Sequence, residues 1–262
     1  MRKTFIGAAT MFTLVALGVG PAILGARHQA VAAQPAKGIT PDADRLLKQM
    51  TDYLAGLQSF KVRTAATDEV VLKSGQKIQL GSESEVSVQR PNRLRSEQVG
   101  AHSGLAFWYD GKSMTLECKE NGTYSTMAAP PTLDATIDKA RKDFHIEAPG
   151  ADLLYSRPYD ILTEQVKSGQ VIGREMLDGA PVNHLAFQGD EVDWQVWIKD
   201  GSEPLPVWFS ITTKTMPSEP EFSVRFSHWD TKAAIPLATF QFQAPAGATR
   251  AQTFPSTCGA GH

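Results

Sequence analysis

The sequence predicts a mainly β, α+β protein built as a curved antiparallel sheet with helices on its concave face. After one amphipathic helix, the apolar period switches from helical spacing to two over many short segments. Those segments are apolar on one side and mostly polar on the other, the pattern of an antiparallel sheet with one face covered. A single helical stretch interrupts them mid-chain and supplies part of that cover.

The chain opens with Arg2 and Lys3, a largely apolar run from Phe5 to Leu24, then Arg27, His28 and Gln29, and the small-residue stretch Ala30-Val31-Ala32-Ala33. This order predicts a signal peptide over residues 1–33, cleaved near Ala32 or Ala33, and a periplasmic or secreted mature protein. An uncleaved membrane anchor is the alternative, because the run approaches spanning length. No Cys stands at the cleavage site, which argues against an acylated amino end. Residues 34–41 read as a flexible leader, 42–248 as one domain and 249–262 as a tail.

Thr40-Pro41-Asp42 starts a helix that carries Leu46, Leu47, Met50, Leu54 and Leu57 at helical spacing. Strands are predicted over 60–68, 82–89, 94–99, 105–109 and 113–118. Asp110-Gly111 makes a tight turn between the last two, and Arg90-Pro91 separates the second from the third. Asn121-Gly122-Thr123 reads as a turn. Pro130-Pro131-Thr132 leads into a helix with Leu133, Ile137, Ala140 and Phe144 on one stripe; short helices over 150–155 and 158–166 follow. Strands resume over 171–177, 182–187, 192–199, 206–213, 222–229 and 240–243. A turn centred on 201–203 sets Trp194 opposite Ile211, Val196 opposite Phe209 and Ile198 opposite Val207, with Trp197 against Trp208 on the other face.

Composition excludes some classes. The 26 Lys+Arg against 28 Asp+Glu form no basic stripe, so nucleic acid is not an expected partner. Neither a nucleophile elbow, a zinc-protease helix, a phosphate loop nor a dinucleotide fingerprint occurs, and no two histidines stand at metal spacing, so no cofactor or metal is expected. His184, with Asp190 and Asp193 close behind, is the one acid–base candidate and supports a hydrolase only weakly against a structural histidine. Cys118 and Cys258 read as one disulfide in an oxidising compartment, with two free thiols as the alternative. The one-sided apolar sheet is either a filled core or the wall of a cavity for a greasy ligand.

Three groups of residues then carry a resemblance. They are Pro149-Gly150-Ala151-Asp152-Leu153-Leu154 with Val171-Ile172-Gly173 and Leu177-Asp178-Gly179; His184-Leu185-Ala186-Phe187 with the run Val192-Asp193-Trp194-Gln195-Val196-Trp197-Ile198; and Pro204-Leu205-Pro206 with the closing 240–248. Together they resemble an uncharacterised family of predicted periplasmic bacterial proteins, itself similar to the lipoprotein-carrier superfamily of LolA, LolB and RseB. The resemblance implies a LolA-like unclosed β-barrel lidded by helices, and a carrier that holds acyl chains of lipids or lipoproteins in a hydrophobic cavity. It supplies no catalytic residue. The residues expected to line the cavity are Trp194, Val196, Val207, Phe209, Ile211, Val224 and Phe226 from the sheet, with Leu133 and Ile137 from the lid. An envelope interaction protein that binds a protein partner with the same fold is the alternative function. Membrane contact is expected to be peripheral or transient at most.

Overall fold

The computed structural model describes residues 38–100, 104–144, 146, 148–253 and 258. The expected signal peptide, residues 34–37 of the leader, most of the tail, and His102, His145 and His262 lie outside them.

Helix α1 (Pro41–Gly56) begins where expected, with Pro41 in its first turn and Asp42 and Asp44 at its amino end. Ala43, Leu47, Met50 and Leu54 form its buried stripe. Six strands follow as a meander: β1 (Ser59–Val71), β2 (Lys77–Gln89), β3 (Arg93–Gly100), β4 (Leu105–Tyr109), β5 (Ser113–Cys118) and β6 (Thr123–Ala128). Helix α2 (Leu133–Phe144), a single 3-10 turn (Ala151–Leu154) and helix α3 (Pro158–Thr163) come next. A second meander contains β7 (Val166–Leu177), β8 (Ala180–Gly189), β9 (Val192–Lys199), β10 (Pro206–Thr213) and β11 (Glu221–Asp230). A 3-10 turn (Leu237–Phe240) and the two-residue β12 (Thr249–Arg250) close the described chain.

The two meanders join where β1 pairs with β11, giving one sheet in the order β12-β6-β5-β4-β3-β2-β1-β11-β10-β9-β8-β7. Every neighbouring pair is antiparallel except β12 with β6. The end strands β7 and β12 do not pair, so the barrel is unclosed, as the family resemblance implied. This order also dictates the lid. The chain leaving β6 must reach the opposite edge at β7, and it crosses the apolar face as α2, the 3-10 turn and α3.

Two main clusters fill the space under that crossing. At one side α1 and α3, through Leu47, Met50, Leu54 and Leu162, pack on Leu185, Phe187, Trp194, Val196, Phe209 and Ile211. At the other, Leu133 and Ile137 of α2 pack with Phe60, Val62, Val88, Leu94 and Tyr109. Gly169 on β7 is required by close approach, since a Cβ there would stand 2.4 Å from the Phe187 ring.

The expected register of β9 and β10 is observed for Trp194–Ile211, Val196–Phe209 and the stacked Trp197–Trp208 pair, whose ring centroids lie 4.3 Å apart. Ile198 instead faces Pro206, because an irregularity there leaves Val207 unpaired. Strand β6 was not anticipated, since Thr123-Tyr124-Ser125-Thr126-Met127-Ala128 has no continuous apolar side. Helix α3 ends three residues short of the expected boundary, Val166 being the first residue of β7.

The expected strand 240–243 is not formed. Pro236 sets up a 3-10 turn, and Phe240 packs with Ala233 and Ile235. The chain beyond runs across the outer face of the sheet, where Phe242 lies against Trp108 and Tyr124 at centroid distances of 5.0 and 4.9 Å. Its end is fastened twice, by β12 to β6 and by the Cys118–Cys258 disulfide, whose Cα atoms are 5.4 Å apart.

Candidate functional site

Between the crossing helices and the first meander a cavity of about 450 Å³ remains, although Leu57, Phe226 and Trp229 pack against both clusters. Its wall follows from strand alternation. The inward residues of β1 are Phe60, Val62, Thr64, Ala66 and Asp68; those of β2 are Val86, Ser84 and Ser82; those of β3 are Leu94, Ser96 and Gln98. Strand β11 adds Phe222, Val224 and Phe226, and Phe107 and Trp229 extend the apolar part. The lid contributes Thr136, Ile137, Ala140 and Arg141 of α2, with Leu153 and Leu154 from the 3-10 turn.

Polarity changes along the strands. In register, Phe60–Val88–Leu94–Tyr109 is a buried row, and the next, Val62–Val86–Ser96–Phe107, is mostly apolar, with Ser96 its polar member and only Val62 fully buried. Then come Thr64–Ser84–Gln98 and Ala66–Ser82, which are half-buried. Thus the closed end of the cavity is greasy and the more open end carries hydroxyl and amide groups.

Charged groups hold the lid rather than the cavity floor. The Tyr155 hydroxyl donates to Asp138 Oδ1 at 2.6 Å, and Arg141 donates to Asp152 Oδ1 at 2.7 Å and to the Tyr155 hydroxyl at 3.4 Å. Burial, and then the adjacent Asp138, push the Tyr155 hydroxyl well above its ordinary titration range. Burial opposes the charge on Arg141, but Asp152 beside it prevails and keeps its pKa above the ordinary value. Asp134 of α2 accepts from the Ser156 amide at 3.0 Å and from its hydroxyl at 2.6 Å. Arg90, in the turn after β2, donates to the Leu154 carbonyl at 2.8 Å; burial holds its pKa below the ordinary value. Tyr159 of α3 donates to the buried Asp44 of α1, which pins the lid's other end.

Of the residues expected from sequence, Ile137, Val224 and Phe226 line this cavity. Trp194, Val196, Phe209 and Ile211 sit together in the closed cluster under α1 and α3. Leu133 is buried in the second cluster, and Val207 is half-buried at the irregularity in β10. Helix α1 explains the division, because it fills the concavity over the second meander and leaves that over the first partly open. The lining residues Phe60, Val62, Val86, Leu94 and Phe107 were on strands read correctly but not assigned to a cavity. Their signal was the alternation of β1 from Phe60 to Ala66.

His184 is on the other face of the sheet, stacked on Trp197 at a centroid distance of 4.0 Å. Its Nδ1 lies 2.7 Å from Glu175 Oε1 and its Nε2 lies 2.9 Å from Gln195 Oε1, while Trp197 Nε1 donates to Glu175 Oε2 at 3.0 Å. Asp190 pairs with Lys167 and Asp193 with Lys214, so the His–Asp pair considered from sequence is not assembled. Among the described residues, no three His, Cys, Asp or Glu side chains converge as metal ligands, and no helix is long and apolar enough to cross a membrane.

No curated protein matches the chain in sequence. Among solved structures, it is similar to an uncharacterized conserved protein from Thermus thermophilus, at 9% identity and a TM-score of 0.49, covering 80% of this chain and 99% of that one. It is also similar to the Mycobacterium tuberculosis lipoprotein LppX, at 16% identity and 0.47, covering 75% and 99%. A LolA superfamily protein from Nitrosomonas europaea is similar at 11% identity and 0.40, covering 76% and 97%. The model of one sequence family, described as "Predicted periplasmic protein (DUF2092)", matches residues 43–253, almost the whole folded unit. The chain belongs to that family.

Proposed function

We infer that the protein is a periplasmic carrier that holds the acyl chain of a lipid or lipoprotein between its lid and its first meander. One observation carries this reading: a cavity of about 450 Å³ with a closed apolar end between the lid and the sheet. A methylene takes about the room of one water molecule, ~30 Å³, so the cavity holds roughly 15 of them, one long chain rather than two. At about 0.8 kcal/mol each, that burial gains about 12 kcal/mol. Association costs of about 4 kcal/mol or more leave micromolar binding at best, tight enough to load and loose enough to release. The chain enters as α2 shifts and its lid–sheet contacts are exchanged for ligand contacts.

Displacement of a fluorescent fatty acid tests this. The folded protein should bind the probe at one per chain. Ile137→Asp, which puts a charge on the cavity's lid, should abolish uptake while circular dichroism stays unchanged. Undiminished uptake by a folded Ile137→Asp protein would refute the site.

A second reading, an interaction protein of the envelope, is favoured by the end strand β7. It exposes Ile172 and Met176, 51% and 69% accessible, along the part of its edge beyond Gly169, where residues 38–40 bridge to it. Among the described residues that part carries no strand and has room for one from a partner. That reading expects a stable complex unaffected by Ile137→Asp.

A further inference from the structure

The half-buried end of the cavity has a chemistry of its own. In the row Thr64–Ser84–Gln98, three neighbouring strands turn a hydroxyl, a hydroxyl and an amide into the cavity, with Ser82 and Ser96 as diagonal neighbours. Two interstrand steps make this shelf about 10 Å wide, and the four residue steps from Val86 to Ser82 give it a length of about 13 Å. Gln98 Nε2 donates to the Ser82 hydroxyl at 2.8 Å. Among the described residues, the Thr64, Ser84 and Ser96 side chains make no hydrogen bond. They are spare donors and acceptors on a surface that an entering chain would dehydrate, where an unmet polar group is costly.

Among the described residues, no cation stands on the shelf. The charged residues that line the cavity, among those described, are Arg141, committed to Asp152 and Tyr155, and Asp68, which lies beyond the shelf on β1. Among the described residues, a phosphate or carboxylate head on the shelf would meet no positive partner. Hydroxyl groups, which both donate and accept, fit the serine and glutamine array.

We propose that Thr64, Ser84, Gln98, Ser82 and Ser96 form a head-group subsite for a neutral, hydroxylated, single-chain amphiphile, of the chemistry of an acylglycerol or an alkyl glycoside. The proposal rests on the acyl-chain reading and adds the identity of the head. The tail fills the closed end between Phe60 and Ile137, and the hydroxyls of the head lie on the shelf.

The test compares 1-lauroylglycerol, laurate and lauroyl lysophosphatidic acid by displacement of the same fluorescent probe. Lauroylglycerol should bind at least about tenfold more tightly than either anion. The double variant Ser84→Ala with Gln98→Leu removes two head contacts and should weaken lauroylglycerol about 30-fold, with laurate unchanged within about twofold. Laurate or lysophosphatidic acid binding as tightly as lauroylglycerol would overturn the subsite, as would a double variant that weakens all three alike. Failure of every chain-bearing ligand to displace the probe would overturn the acyl-chain reading itself, and the subsite with it.

Discussion

Ala140 stands on α2 with its side chain at the cavity, only 8% accessible, and offers a direct way to measure the space there. Ala140→Phe adds a ring of about 100 Å³, some three to four water volumes. Placed in a packed interior, such a ring costs about 1–3 kcal/mol through displaced neighbours. Placed in the cavity, it fills space already lined by Ile137, Phe60 and Phe226 and leaves stability unchanged or raised. The same ring shortens the room for a ligand from roughly 15 methylenes to about 11. A long chain then forgoes about 3 kcal/mol of burial, a loss near a hundredfold in affinity, while a chain of about ten carbons keeps its full contact. Urea denaturation and a chain-length series of displacement titrations measure both quantities. A stability loss above about 1 kcal/mol, or equal weakening at every chain length, would refute the cavity argument.

Gly169→Ala sets a methyl 2.4 Å from the Phe187 ring and should cost about 1–3 kcal/mol in urea denaturation; an unchanged midpoint would show that Phe187 yields freely. Tyr155→Phe removes the donor to Asp138 and should lower stability at neutral pH by about 1–2 kcal/mol. Folded Tyr155 keeps its proton above the ordinary value of 10.0, so only the unfolded chain ionises as pH rises past 10, and stability declines from there. That alkaline decline should be shallower in Tyr155→Phe, and identical slopes in the two proteins would remove Tyr155 from the explanation.

Much of the fold was legible because alternation is a local signal. The one-sided apolar strands 192–199 and 206–213, with the Trp197–Trp208 pair, gave the register of β9 and β10 apart from the shift at Val207. Strand β6 was missed because polar Thr and Ser dominate it, and it is held by pairing to β5 rather than by an apolar face. The segment 240–243 alternates like a strand, yet Phe240 and Phe242 serve separate outer contacts, which alternation alone does not distinguish from a sheet row. The site was less legible for a related reason. Trp194, Phe209 and Phe226 share one pattern, and only the position of α1 decides that the first two are sealed in core while the third lines open space. The polar shelf was invisible in sequence, since Ser82, Ser84, Ser96 and Gln98 become neighbours only through the pairing of β2 with β3.

The most direct test is native mass spectrometry of the protein purified without detergent, followed by lipid extraction. An acyl-chain carrier should retain one single-chain lipid per protein, lost in Ile137→Asp. A wild-type protein that carries no lipid, and takes up none when offered, would contradict the proposed function.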